Sequence, residues 1–183
     1  MFEQQITPAL THLSRVVRAA ERDEVSRHLA WGFKGRVVPD CYLIAADMLL
    51  EEGWKLLGSG AYSVALTHPS MAGKVLKVSL DEDDAGPIWW DFCARNQGRP
   101  YVPVQYLHGT LMGLSFVIMD RLELDLCRAA HFTWAGAAEW DEDYAELVAE
   151  AEALGYLDLH DENIMFHPVD GTPFLTDPIY ECL

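Results

Sequence analysis

Asp158-Leu159-His160-Asp161-Glu162-Asn163-Ile164-Met165, followed by Thr176-Asp177-Pro178, is the stretch from which the rest of this chain is read. An Asp and an Asn five positions apart, with a second Asp fourteen positions after the Asn, is the spacing of a phosphoryl-transfer site. In such a site the first carboxylate, Asp158, orients or deprotonates a hydroxyl. The amide oxygen of Asn163 and the carboxylate of Asp177 are hard oxygen donors, the kind that Mg²⁺ takes. A lone Asp or Asn in a loop is ordinarily a turn or cap residue. That ordinary role explains one such residue but not the joint spacing.

Upstream and in the right order stand Leu57-Gly58-Ser59-Gly60-Ala61-Tyr62-Ser63 and Val75-Leu76-Lys77-Val78. Gly58, Ser59 and Gly60 read as a tight turn between two strands, where the main chain can approach phosphates and donate N–H bonds. Ser63 stands where a third glycine is expected and is small enough to serve. Any hairpin turn has this look, so the motif gains meaning only from its company. Lys77 ends an apolar strand and is the candidate for gripping nucleotide phosphates, with Asp91 as the expected acidic partner and Glu82 and Asp84 as competitors. His160, His167 and Asp161 match no transition-metal ligand spacing. Trp89-Trp90 reads as packing rather than a base-stacking platform.

The chain has 183 residues, half of them hydrophobic, enough for one domain with a sizeable core. The formal net charge of −16 is uneven: residues 101–183 carry 2 Lys/Arg against 16 Asp/Glu, or −14. That field disfavours nucleic acid and anionic membrane and favours basic partners. No apolar run approaches the roughly 20 residues of a membrane span, and Met1-Phe2-Glu3-Gln4-Gln5 does not read as a secretory signal. The four cysteines form no Cys-x-x-Cys pair, which fits reduced thiols in a cytoplasm.

Apolar periodicity predicts helices over 8–30 and 40–52, the second capped by Gly53. From Trp54 the pattern changes to a three-stranded meander, 54–57, 62–67 and 74–79. A helix through about Asn96 is expected after Pro87. Strands follow at 102–107 and 115–119, joined around Gly109 and Gly113. Helical material then leads to a helix over 141–155, a short strand at 164–166, a turn at 169–171 and a strand at 173–175. The fold class expected is α+β: a minimal protein-kinase-like fold with a five-stranded antiparallel N-lobe, one inserted helix and a truncated helical C-lobe. Residues 1–53 form an N-terminal helical segment and 54–183 the kinase-like domain.

With these residues placed, the chain resembles the early serine/threonine protein kinases of T7-like bacteriophages, in their N-terminal kinase part. The resemblance runs from about Trp54 to Tyr180. It rests on Leu57-Gly58-Ser59-Gly60, Ser63 with His68-Pro69, Val75-Leu76-Lys77-Val78, Phe92-Cys93-Ala94-Arg95, Gln97-Gly98-Arg99-Pro100, His160 with Asn163-Ile164-Met165-Phe166, and Thr176-Asp177-Pro178. It implies an enzyme that uses ATP and Mg²⁺, with Asp158 and Lys77 catalytic, and Asn163 and Asp177 on the metal. Gly58, Ser59, Gly60, Ser63, Lys77 and Asp91 would then serve the nucleotide. It also implies host bacterial proteins as substrates, transcription and RNA-processing machinery among them, in the cytoplasm of the infected cell. The chain departs from the family pattern in three places. It stops six residues after Asp177, so the basic C-terminal region linked to host-transcription shut-off is not expected. Tyr156-Leu157 and His160 stand where most protein kinases have His-Arg and Lys. Asp177-Pro178 replaces Asp-Phe-Gly, so control through an activation loop is not expected. Two rival readings are a small-molecule kinase of the aminoglycoside-phosphotransferase type, which His160 favours, and a non-catalytic kinase-like protein that binds and inhibits a host target through its acidic half.

Overall fold

The computed structural model describes residues 49–51, 53–59, 63–80, 85–111, 114–133 and 141–182, with Thr11, Ser14 and Arg15. Most of the helix expected over 8–30, of which Thr11, Ser14 and Arg15 are helical, most of the one over 40–52, the turn residue Gly60 and the acids Glu82 and Asp84 lie outside the described residues. The chain divides into two compact units, Met1–Asp81 with Gly109–Phe116, and Glu82–His108 with Val117–Leu183.

In the first unit, residues 49–51 close a helix. Gly53, at φ +92°, stops it. Its N–H donates to the carbonyl of Leu50 and that of Trp54 to Leu49, both at 3.1 Å. This bond pair closes a helix on a left-handed residue, which glycine adopts without a Cβ penalty. The expected cap is therefore present. Three strands follow: β1 (Lys55–Ser59), β2 (Ser63–Thr67) and β3 (Lys74–Leu80), paired antiparallel in sequence order. Alternation sets their faces: Val64 and Leu66 of β2 and Leu76 and Val78 of β3 are buried, as the period of two requires. His68, Pro69 and Ser70 turn the chain between β2 and β3, with the His68 ring accepting the Ser70 N–H at 3.2 Å.

The sheet is completed by β4 (Gln105–Leu111) and β5 (Leu114–Asp120), in the order β1-β2-β3-β5-β4. This is the expected five-stranded antiparallel sheet. Two boundaries differ from the sequence reading. β4 starts at Gln105 rather than Val102, because Pro103 has no N–H to give to a ladder. It then runs through Gly109, expected in the connection; a Cβ there would lie 3.6 Å from the Phe116 ring. Likewise β1 continues through Gly58 and Ser59, which the sequence reading assigns to the turn.

In the second unit, α1 (Ala85–Arg95) buries Trp89, Trp90, Phe92 and Cys93. Trp89 stacks on Phe92 with ring centres 4.9 Å apart, so the tryptophan pair is core. Next come β6 (Glu123–Leu124), α2 (Leu126–Thr133) and α3 (Glu142–Leu154), then β7 (Gly155–Leu157), β8 (Ile164–Phe166), β9 (Pro173–Leu175) and β10 (Ile179–Cys182). Asp141 caps α3, its Oδ1 accepting the Tyr144 N–H at 3.0 Å. It also receives the Tyr101 hydroxyl. The rings of Tyr101, Phe132 and Tyr144 meet edge to face, and Arg99 reaches Glu150 of α3 at 2.7 Å. The part after β5 is thus not simply a truncated helical lobe. It contains two small antiparallel sheets, β10-β7 and β6-β8-β9, that carry the loop of interest.

Candidate functional site

The second unit brings Asp158, Asn163 and Asp177 together through main-chain bonds. α3 ends at Leu154, and β7 carries the chain to Asp158, whose N–H donates to the carbonyl of Pro178 at 2.7 Å. His160 then caps a single 3-10 turn over Asp161–Asn163, with its Nδ1 accepting the Glu162 N–H at 3.2 Å. The turn feeds β8, and β8 pairs with β9 through Ile164↔Leu175, Met165↔Phe174 and Phe166↔Pro173. That register sets Asn163 opposite Thr176 at the open end of the hairpin. The Thr176 N–H and hydroxyl both donate to the Asn163 carbonyl, at 2.8 and 3.1 Å. Asp177 is therefore held between a residue bonded to Asn163 and a residue bonded to Asp158.

The side chains are oriented as well. Asn163, 8% exposed, donates from Nδ2 to the main-chain carbonyl of Asp158 at 2.7 Å. The same nitrogen lies 3.0 Å from His160 Nε2. With Nδ2 committed inward, Oδ1 is the oxygen of that amide that can serve a metal. His160 Nε2 also lies 3.6 Å from Asp158 Oδ2, so the ring sits between the amide of Asn163 and the carboxylate of Asp158. Asp158 and Asp177 are both partly exposed. Burial first, and the Asp177 carboxylate second, push the thiol of Cys93 far up. Cys93 is thus a packed, un-ionised thiol beside Asp177 and not a nucleophile.

Among the described residues, no cluster of three or more His, Cys, Asp or Glu side chains is arranged to hold a metal ion by itself. One carboxylate and one amide oxygen, completed by water and phosphate oxygens, is instead a composition that Mg²⁺ accepts. Asn163 and Asp177 are the two residues whose oxygens could hold it.

The first unit holds Gly58, Ser59, Ser63 and Lys77. Gly58 is opposite Ala65, and Ala65 is opposite Lys77. Residues directly opposite across an antiparallel pair share a face, so one row reads glycine, alanine, lysine. A Cβ on Gly58 would meet nothing within 4 Å. The two small residues leave the sheet surface beside the lysine low and open. Leu57 bulges out of the β1–β2 register and is 42% exposed. Ser59 ends β1 opposite Val64, and Ser63 starts β2 opposite Ser79. Ala65 is the residue that sequence reading missed. Its signal is the even spacing to Lys77 across a hairpin, which is legible only once the length of the connection is known.

Asp91, expected as the partner of Lys77, lies on the exposed side of α1. There it pairs with Arg95 at 3.0 Å, one helical turn on, and with His108 at 3.6 Å. His167 contacts Asp170 at 3.1 Å in the β8–β9 turn, and neither belongs to the Asp158 cluster.

No curated protein matches the chain. A match is found to a protein family, that of bacteriophage T7 protein kinase 0.7, over residues 34–156. The matched segment includes the Gly58–Ala65–Lys77 row and stops just before Asp158, so the cluster of Asp158, Asn163 and Asp177 is an observation independent of the match. Two thirds of the chain are covered, and the chain belongs to the bacteriophage T7 protein kinase family.

Proposed function

We propose that this protein is a serine/threonine protein kinase that moves the γ-phosphoryl group of Mg-ATP to proteins of the host bacterium during phage takeover, in the host cytoplasm. The observation that carries the reading is the main-chain lacing of Asp158, Asn163 and Asp177 around the open end of the β8–β9 hairpin. The sheet order β1-β2-β3-β5-β4, with α1 between β3 and β4 in the chain, supports a protein-kinase-like N-lobe.

In this reading Asp158 takes the proton of the acceptor hydroxyl as its oxygen bonds to phosphorus and the bond to the departing ADP oxygen breaks. Asn163 Oδ1 and Asp177 would hold Mg²⁺, which would offset phosphate charge. Lys77 would grip the phosphates from the low surface left by Gly58 and Ala65, with Ser59 and Ser63 on the neighbouring strands. Asp91, the remaining candidate from the sequence, lies on α1 and pairs with Arg95 and His108. Among the described residues no helix is long and apolar enough to cross a membrane.

The test is incubation of the purified protein with radiolabelled ATP, Mg²⁺ and bacterial lysate. Label on Ser or Thr of host proteins is expected. Label confined to small molecules would replace this reading with a small-molecule kinase. Capture of a host protein without any label would replace it with a kinase-like inhibitor.

A further inference from the structure

At the closed end of the same hairpin, away from Asp158, the second unit has a cavity of about 770 Å³. Its walls are β6 with the start of α2 on one side and the β8–β9 turn on the other. Three apolar side chains stand open at it: Leu124 is 46% exposed, Leu126 51% and Val169 87%. Single exposed leucines are ordinary, but three around one concavity make a patch.

The walls are braced before anything binds. The guanidinium carbon of Arg128, on α2, lies over the Phe166 ring, 4.1 Å from its centre, and the group donates to the Gly171 carbonyl at 2.7 Å. Gly171 is at φ +72°, and a Cβ there would come within 3.0 Å of the guanidinium. Glycine therefore permits both the turn and the close approach of Arg128. Helix and turn are stapled together, which lowers the ordering cost of binding.

The charge at the rim is acidic. Glu123, Asp125 and Asp170 line the cavity, and Glu123 and Asp170 are exposed. The Asp170 carboxyl is held below the usual range by the Thr172 N–H and then by its hydroxyl. Arg128 is one of the two Lys/Arg in residues 101–183, and its guanidinium is turned onto Phe166 and Gly171. What the cavity presents outward is apolar side chains ringed by carboxylates. Phosphate-bearing ligands, nucleic acid and anionic lipid are repelled by such a rim. Apolar side chains flanked by Lys or Arg satisfy both features at once.

We propose that this cavity docks an extended segment of a protein substrate in which apolar residues are flanked by Lys or Arg, at a distance from the residue phosphorylated. The inference takes the word substrate from the function proposed above, while the binding itself stands without it.

The probe is a fluorescent peptide with two leucines flanked by arginines, titrated by anisotropy into the full chain. Saturable binding is expected. It should weaken at least about tenfold, a loss of about 1.4 kcal/mol, when the leucines become alanine or the arginines become glutamate. A similar loss is expected in a Glu123→Lys, Val169→Asp variant, since both positions are exposed and the fold should survive; circular dichroism checks this. Fused to an acceptor serine, the peptide should lower KM with kcat unchanged, and the double variant should remove that gain. No binding, or equal binding of the alanine and glutamate peptides, overturns the proposal. Self-association of the chain that the double variant abolishes, without peptide binding, overturns it in favour of a second copy as occupant. Peptide binding without any phosphoryl transfer leaves the docking surface standing and ends the kinase reading. Transfer without peptide binding does the reverse.

Discussion

Asn163 and Asp158 are joined by a side-chain-to-main-chain bond: the Asn163 Nδ2 donates to the Asp158 carbonyl at 2.7 Å. The bond fixes which end of the amide faces inward, and with it which atom faces outward toward a metal. Asn163→Asp is therefore expected to be worse than its size suggests. It sets a carboxylate against a carbonyl at a position only 8% exposed. A stability loss of about 1–3 kcal/mol is expected in urea unfolding, the range for a buried acceptor left without a donor. Phosphoryl transfer should be lost as well. An Asn163→Asp protein with wild-type stability would mean that the amide does not hold the loop.

Asp158→Asn is expected to leave folding and nucleotide affinity close to wild type while slowing transfer by about 10²–10⁴, the usual cost of removing a general base. Asp177→Asn should instead weaken Mg-ATP binding, because it takes charge from the metal. Single-turnover rates and nucleotide titrations on the two variants separate these roles. Full transfer by Asp158→Asn would remove that residue from the chemistry.

The row Gly58–Ala65–Lys77 makes a prediction about space. Gly58→Ala should change stability by less than about 0.5 kcal/mol, since its Cβ would enter open volume. Ala65→Phe should fill the surface beside Lys77 and reduce ATP affinity at least about tenfold. Isothermal titration with ATP reads the second effect and thermal unfolding the first. Unchanged ATP affinity in Ala65→Phe would move the nucleotide off this face.

Asp141 predicts an acid dependence. Its carboxyl is lowered from 3.8 first by the Tyr101 hydroxyl and then by the Tyr144 N–H. A lowered carboxyl contributes stability above its ordinary value, and the contribution is lost as pH falls through the value in the folded protein. Asp141→Ala should cost about 0.5–2 kcal/mol at neutral pH through the lost cap. The gap between wild type and this variant in urea unfolding should shrink on acidification below about pH 4. At the alkaline end, burial and then the Asp141 bond raise the Tyr101 hydroxyl above 10.0, so its contribution fades only as pH climbs past that value. A gap that grows on acidification would contradict the pairing.

Much of this was legible in local sequence. Residues 164–166 and 173–175 are read as strands from their apolar content and the Val169-Asp170-Gly171 turn between them, and β8 and β9 have those bounds. Gly53 and Asp141 declare themselves as helix ends because capping is chemistry within four residues. β7 and β10 were not legible. Their register pairs Leu157 with Ile179, and two strands of three and four residues with no turn between them carry no local signal that they pair. The clasp between the Asp158 N–H and the Pro178 carbonyl is a main-chain bond, which no side chain announces. The start of β4 was misjudged because Val102 has the right apolarity, while Pro103 beside it lacks the donor.

The β8–β9 hairpin also acts as a ruler. Its open end holds Asn163 and its turn begins at His167, four residues away, or about 13 Å at strand rise. A polypeptide gripped at the turn can bring a hydroxyl to Asp158 only if at least about four extended residues separate grip from acceptor. Serines nearer than that are beyond reach however tightly the segment is held. The hairpin's length, rather than the residues flanking the acceptor, would then decide which serine of a gripped protein is modified.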